Sequence, residues 1–134
     1  MNQLPIYLDY NATTPLLPEV VEAMLPYLRE HFGNPSSIHS FGKQAKEAVE
    51  AARMEVASLL RCHADEVFFT SGGTEANNLA IRGATEARPD RRHIVISSIE
   101  HPAVANPCVY LERQGYEVTR LPVDRDGRVD SEDV

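Results

Sequence analysis

Between residues 67 and 121 the chain alternates short apolar runs with helix-forming segments. The predicted order is strand, helix, strand, helix, strand, over residues 67–70, 74–87, 93–98, 102–113 and 116–121. This order predicts an α/β fold with a mostly parallel sheet and right-handed helical crossovers. Ligands of such sheets bind at the carboxyl ends of the strands. The turns after the first two predicted strands are therefore the places to look for a site.

The first of these turns contains Gly72 and Gly73 and leads into a helix near Thr74, with Glu75 in the first helical turn. Two glycines permit a positive φ and a close approach by another group, because neither carries a Cβ. Backbone N–H groups at a helix start have no partner within the helix and can bind an anion, phosphate above all. The alternative is an ordinary connection that binds nothing, since Gly and Ser are common loop residues.

The second turn contains Glu100 and His101, followed by Pro102 at the predicted start of a helix. A histidine titrates near neutrality and is suited to proton transfer, although a lone histidine is more often structural. Taken alone, His101 is therefore expected to be structural; only together with a family resemblance does it become the catalytic candidate, with Glu100 in support.

Length, composition and charge argue against several classes of function. The 134 residues are 43% hydrophobic, enough for one domain or part of one. The net charge of -7 argues against nonspecific nucleic-acid binding and against an anionic membrane surface. No apolar run approaches the roughly 20 residues of a membrane span, and the first residues do not resemble a signal peptide, so a cytoplasmic location is expected. The two cysteines, Cys62 and Cys108, suggest neither a disulfide framework nor a zinc site, and no metal is expected.

The amino-terminal part is predicted to contain two helices. The first begins at Pro18, is kinked or split by Pro26 and ends at Gly33. A turn follows at residues 34–37, and apolar residues with helical period predict a second helix at 41–60. At the other end, residues 124–128 predict a turn and Asp130 a helix cap. Because a domain rarely ends at such a cap, we expect the chain to be the front part of a larger domain.

Four ordered segments resemble the cysteine desulfurases, pyridoxal-phosphate enzymes grouped with the class-V aminotransferases. They are residues 7–15, 33–37, 70–78 and 100–101. The resemblance covers nearly the whole chain. It implies the amino-terminal part of a fold-type-I pyridoxal-phosphate-transferase large domain, with a mostly parallel sheet and helices on both faces. Residues 1–134 would then form a single incomplete domain, in which 1–40 are an arm, helix and loop and 41–134 begin the cofactor-binding domain.

The resemblance also implies site residues. Gly73 and Thr74 would hold the phosphate of pyridoxal 5'-phosphate through backbone N–H groups, with the Thr74 hydroxyl as a further donor. His101 would bind the cofactor by stacking on its ring and would take part in proton transfer. Segment 11–13, that is Asn11, Ala12 and Thr13, would line the substrate pocket. Thr70 and Asn78 are expected to have supporting or packing roles.

The reaction implied by the resemblance removes sulfur from L-cysteine. It gives L-alanine and an enzyme persulfide, which a sulfur-acceptor protein or scaffold receives for iron–sulfur assembly or thiolation, and the full-length enzyme would be a homodimer. Selenocysteine lyases share these motifs. The resemblance also implies that the Schiff-base lysine, the pyridine-facing aspartate and the nucleophilic cysteine lie beyond residue 134. The only lysines of the sequence, Lys43 and Lys46, are predicted on the exposed face of the second helix and do not match the Schiff-base lysine. The chain alone is therefore expected to be inactive.

Two other hypotheses remain open. A nucleotide-binding βαβ protein could use the glycine turn for a nucleotide phosphate, although the chain has neither G-x-x-x-x-G-K-[ST] nor G-x-G-x-x-G. A noncatalytic fragment could act as a partner or regulator of a full-length enzyme. A parallel sheet that lacks its later strands would expose an edge and an apolar face, which predicts poor solubility or self-association of the chain in isolation.

Overall fold

The computed structural model describes residues 5–134. The chain divides into two compact units, Met1–Phe68 and Phe69–Val134. Among the described residues, the first unit contains two α-helices, and the second contains two α-helices and a two-stranded sheet. None of the helices in residues 5–134 combines the length and apolar composition that a membrane span requires.

The first helix of the first unit, α1, spans Pro18–Arg29. Its predicted start at Pro18 is confirmed, because a proline at the first helical position has no N–H to leave unpaired. The predicted split at Pro26 is wrong: the helix continues for three more residues. Pro26 lies in the last turn, so its missing N–H removes only one hydrogen bond, and its carbonyl accepts from the N–H of Glu30 at 2.8 Å.

Gly33 does not end α1, which stops four residues earlier. Its position is explained by close packing instead, because a Cβ at residue 33 would overlap the backbone carbonyl of Phe41. The predicted turn that follows is confirmed. Asn34 accepts hydrogen bonds from the N–H of Ser36 with its side chain and from the N–H of Ser37 with its carbonyl, each at 2.9 Å.

The second helix, α2, spans Ser40–Leu60 and confirms the predicted helix. His39 caps its start, since Nδ1 accepts from the N–H of Gly42 at 3.4 Å. The buried positions of α2 are all small residues, namely Gly42, Ala45 and Ala57. Lys43 and Lys46 are exposed, as predicted.

The predicted strand at residues 67–70 is wrong, since this segment has no regular structure. A strand requires a hydrogen-bonded neighbour, and in residues 5–134 the sheet consists of the two strands that follow. The carbonyl of Val67 is instead bonded by a guanidinium nitrogen of Arg53. The side chain of Val67 is buried, whereas that of Phe68 is 72% exposed.

The second unit confirms the other helices and strands that the sequence predicts. Its elements in chain order are α3 at Gly73–Ala87, β1 at His93–Ser97, α4 at Pro102–Arg113 and β2 at Glu117–Leu121. The strands β1 and β2 pair in parallel, with Val95 opposite Thr119. The predicted parallel sheet is therefore present.

The core of the second unit lies where α4 packs against α3 and β2. Its buried residues are Thr85, Ala103, Pro107, Cys108, Leu111 and Leu121. The hydroxyl of Tyr116 donates to the carbonyl of Thr85 at 3.3 Å and so connects the start of β2 to α3. β1 is more exposed than its apolar sequence predicts, with Val95 45% exposed.

Turn residues delimit these elements. Gly115 has φ of 85° and lies two residues after the end of α4, just beyond the cap residue Gln114, which confirms it as the stop of that helix. Residues 124–128 form the predicted turn, in which the carboxylate of Asp124 accepts from the N–H of Asp126 at 2.8 Å. Asp130 caps a short 3₁₀ helix at Ser131–Asp133, also as predicted.

Candidate functional site

A cleft of about 460 Å³ lies between α3 and α4 in the second unit. It is lined by Thr74, Asn78, Arg82, His101, Pro102, Ala103, Asn106, Pro107 and Tyr110. Thr74 and His101, which the sequence singled out on two separate turns, are thus brought to one cleft. The packing of α3 against α4 brings the two helix starts together, since Thr74 lies in the first turn of α3 and His101 caps α4.

The start of α3 leaves its backbone donors available. α3 begins at Gly73, one residue before the predicted start, with Gly72 as its cap. The first hydrogen bond of the helix runs from the N–H of Ala76 to the carbonyl of Gly72 at 3.1 Å. Within the described part of the chain, the N–H groups of Gly73, Thr74 and Glu75 have no acceptor. Three free donors at the positive end of a helix are suited to bind a phosphate.

The two glycines leave this helix start open. A Cβ built on Gly72 or Gly73 would meet no atom within 4 Å. Neither glycine has a positive φ of the kind that excludes other residues: Gly72 is extended, and Gly73 is helical. The expected conformational role of the pair is therefore wrong, whereas the space above the N–H groups fits a ligand that approaches closely.

Ser71 and Glu75 fix the turn that precedes α3. Oε2 of Glu75 accepts from the hydroxyl of Ser71 at 2.6 Å and from its N–H at 2.7 Å. These two bonds, the hydroxyl first and the N–H second, lower the pKa of the Glu75 carboxyl. The ionised carboxylate therefore holds the loop that carries the glycines.

Two further side chains support the same turn. The hydroxyl of Thr70 donates to the carbonyl of Gly72 at 3.1 Å, and the side-chain amide of Asn78 donates to the carbonyl of Thr74 at 2.9 Å. These bonds agree with the supporting roles expected for Thr70 and Asn78.

The backbone N–H groups at the start of α4 all have acceptors, unlike those at the start of α3. His101 is its cap, and Nδ1 accepts from the N–H of Ala103 at 3.0 Å. Pro102 has no N–H, and the N–H groups of Val104 and Ala105 both donate to the carbonyl of His101, at 2.8 and 3.0 Å. All donors of this first turn are thus occupied. An anion in the cleft would therefore be bound by α3.

A positive charge lies farther along the cleft. The guanidinium of Arg82 is 5.6 Å from the centroid of the Tyr110 ring, a cation–π distance. Among the described residues, the salt bridges do not include Arg82. Its charge favours anionic ligands in the cleft.

Sequence reasoning missed Arg82, Asn106 and Tyr110. The spacing of Thr74, Asn78 and Arg82 at four-residue intervals places them on one face of α3, and this signal could have identified Arg82. Tyr110 carries no comparable signal, because its place in the cleft depends on how α4 packs against α3.

The other candidate residues lie outside the cleft lining. Gly73 directly precedes the lining residue Thr74 at the start of α3. Segment 11–13 belongs to the first unit and forms an exposed turn, in which the N–H of Ala12 donates to the carbonyl of Asp9 at 3.1 Å. The substrate-pocket role of Asn11, Ala12 and Thr13 remains a prediction. Glu100 accepts from the hydroxyl of Ser97 at 2.9 Å and so braces the loop before His101.

Comparison with known proteins gives consistent results. Residues 6–134 match the family model described as aminotransferase class-V. A protein named cysteine desulfurase IscS, from Dictyoglomus turgidum, is 54% identical over 130 residues, which are 96% of this chain and 33% of that protein. A solved structure named NIFS-LIKE PROTEIN matches with a TM-score of 0.88 at 38% identity, over 97% of this chain and 36% of its own.

A second solved structure, named SspA in complex with cysteine, matches with a TM-score of 0.86 at 38% identity. The match covers 94% of this chain and 37% of that one. The chain thus spans about a third of the length of the relatives it matches.

Proposed function

Because the chain belongs to the class-V aminotransferase family, we propose that it is the amino-terminal part of a pyridoxal-phosphate-dependent cysteine desulfurase. The complete enzyme would remove sulfur from L-cysteine, leaving L-alanine and an enzyme persulfide for iron–sulfur cluster or thiolation pathways. The relative named cysteine desulfurase and the matched structure named as a complex with cysteine support this substrate.

The observation that carries the proposal is that N–H groups without an acceptor, at the start of α3, lie at the same cleft as the imidazole of His101. The N–H groups of Gly73 and Thr74 bind the cofactor phosphate, and the hydroxyl of Thr74 adds a donor. The closed start of α4 supports this choice, because its first turn has no free donor to compete. Arg82 adds favourable charge from farther along the cleft.

His101 binds the ring of the cofactor and takes part in moving a proton at the substrate. Its position at the start of α4 puts it in the same cleft as Thr74. When bound, pyridoxal phosphate supplies an electron sink for charge that develops on the substrate carbon. The chain's own contribution is to hold the phosphate, orient the ring and present the imidazole.

The remaining catalytic groups come from the other two thirds of the enzyme. Lys43 and Lys46 are exposed on α2 in the first unit. We assign the Schiff-base lysine, the acidic partner of the pyridine nitrogen and the nucleophilic cysteine to sequence that the complete enzyme has beyond these 134 residues. The complete enzyme would act as a cytoplasmic homodimer and pass sulfur to an acceptor protein. This chain alone is expected to have no activity.

The test combines this chain with a separately produced downstream two thirds of the Dictyoglomus relative and adds pyridoxal phosphate. We expect a visible absorbance band that survives desalting, and cysteine-dependent formation of alanine, only when both parts are present. Thr74→Ala should weaken cofactor retention, whereas Thr74→Ser, which keeps the hydroxyl, should retain it. A folded complex of the two parts that holds no cofactor would refute the proposal.

A further inference from the structure

We propose that proton uptake by His101 and loss of the cap at the start of α4 are a single event. Nδ1 of His101 accepts the hydrogen bond from the N–H of Ala103 at 3.0 Å. A ring nitrogen that accepts carries no proton, so the neutral ring has its proton on Nε2. A second proton can add only at Nδ1, where it would face the N–H of Ala103. The imidazolium therefore cannot keep the cap.

Among residues 5–134, the N–H of Ala103 has no acceptor other than Nδ1 of His101. The carbonyl of His101 already accepts hydrogen bonds from the N–H groups of Val104 and Ala105. Pro102, the first residue of the helix, has no N–H. The positive end of the helix dipole opposes a cation at this position. Protonation thus removes a hydrogen bond and places a positive charge at the start of α4.

The groups near the imidazole of His101 include both a positive and a negative charge. From α3, the guanidinium of Arg82 adds positive charge to the cleft, and from α4 the cleft receives the phenol of Tyr110. Glu100, a carboxylate, precedes His101 in the loop and accepts from the hydroxyl of Ser97. The coupling of cap and proton does not depend on this balance, because both compete for the same nitrogen.

The coupling decides what His101 can do in the cleft. While it caps α4, its free ring nitrogen carries a proton, so the side chain acts as a hydrogen-bond donor. It can accept a proton only when the imidazole leaves Ala103. The use of this property at a bound cofactor rests on the proposed function, whereas the coupling itself does not.

The experiment follows the protein without cofactor by amide hydrogen exchange and by ¹H–¹⁵N spectra of its histidine rings. We expect the neutral His101 ring to carry its proton on Nε2. The exchange protection of the Ala103 amide, corrected for intrinsic pH dependence, should fall roughly tenfold as the ring becomes protonated, as expected for loss of one helix cap. Mass-spectrometric detection of exchange allows low protein concentration.

A variant separates the cap from the titration. In His101→Asn the side-chain oxygen can still cap the helix but does not titrate, so protection of Ala103 should persist at every pH. Its missing ring signals also assign His101 in the wild-type spectra. Protection of Ala103 that is unchanged across the His101 titration of the wild-type protein would overturn the inference. A pH-dependent loss of Ala103 amide protection that persists in His101→Asn would also overturn it. Neither result would bear on cofactor binding.

Discussion

Ser71 and Glu75 close the turn before α3 through two hydrogen bonds to one carboxylate oxygen, at 2.6 and 2.7 Å. Both bonds lower the pKa of Glu75, the one from the hydroxyl more than the one from the N–H. The ionised carboxylate is the acceptor, so the stabilisation is complete above the pKa of the unfolded chain, about 4.3. It is lost as the pH falls through the lower pKa of the folded state.

We therefore predict that protection of the Ser71 amide decreases in acid with the titration of Glu75. Glu75→Gln removes the charge, so it should lower this protection at neutral pH and abolish the acid transition. Amide hydrogen exchange measured across the acid range tests both effects. Glu86→Gln, at an exposed position near the end of the same helix, is the control and should leave Ser71 unchanged. A wild-type protein without an acid transition at Ser71 would contradict this account.

Gly73→Ala should separate cofactor binding from folding. Gly73 has helical backbone geometry, and its added Cβ would meet no protein atom within 4 Å, so the fold should be retained. A helical Cβ tilts toward the helix start, the side from which a phosphate approaches. We expect the affinity for pyridoxal phosphate to fall about tenfold, or about 1.4 kcal/mol.

A fluorescence titration of the two-part complex with pyridoxal phosphate measures the affinity, and a thermal melt of the Gly73→Ala chain measures its folding. Gly83→Ala is the matched control, because Gly83 lies in the same helix and its Cβ would also be unobstructed. It should leave the affinity unchanged. Equal affinity of Gly73→Ala and the wild-type protein would place the phosphate elsewhere than the start of α3.

The sequence predicted the helices and the parallel pair in the second unit because each has a local signal. Pro102 and Gly115 mark the two ends of the segment that contains α4, and a run of β-branched residues marks β1. The strand predicted at 67–70 has the same local signal but fails, because a strand also requires a neighbour in space. In this chain Arg53, fourteen residues earlier, bonds the carbonyl of Val67 instead.

The candidate site was predictable to the same extent. Thr74 and His101 each follow a predicted strand, and the rule that ligands bind at strand ends predicted one site for both. The strand before Thr74 is absent from the structure, however, so the packing of α3 against α4 is what brings the two residues together. The capping role of His101 was not predictable, because it depends on which ring nitrogen faces Ala103. Arg82 and Tyr110 were missed because a cation–π pair between two helices leaves no short sequence motif.

Two glycines in helices should respond to alanine in opposite ways. Alanine is ordinarily favoured over glycine inside a helix by up to about 1 kcal/mol, and Gly83→Ala should gain stability of this order. At Gly42, however, a Cβ would lie 2.7 Å from the carbonyl oxygen of Asn34, a backbone atom that cannot move freely. Gly42→Ala should therefore lose roughly 1–3 kcal/mol.

Thermal and denaturant unfolding of the Gly42→Ala and Gly83→Ala variants measures the difference. The sign is the critical result, since helix propensity alone predicts a gain at both positions. A stabilised Gly42→Ala protein would show that the turn at residues 34–37 does not pack against α2 as the structure has it.

The two cysteines should differ sharply in reactivity. Cys108 is fully buried in α4, and both cysteines are free thiols. Burial is the main cause that raises the pKa of the Cys108 thiol, and the charges of Glu112 and Glu100 raise it further against the opposing effect of Arg120. The reactive thiolate of Cys108 is therefore scarce as well as inaccessible. Cys62 is only half-buried at the end of α2.

Treatment of the folded protein with a thiol reagent at mildly alkaline pH should modify Cys62 and leave Cys108 intact, as peptide mass spectrometry would measure. Denaturant should expose the second thiol, so that two equivalents react. Cys62→Ser is the control and should show no fast reaction. Because labelling of Cys108 requires α4 to leave its packing against α3 and β2, its rate reports the opening of the second unit. Modification of Cys108 as fast as Cys62 would mean that this core is not closed in solution.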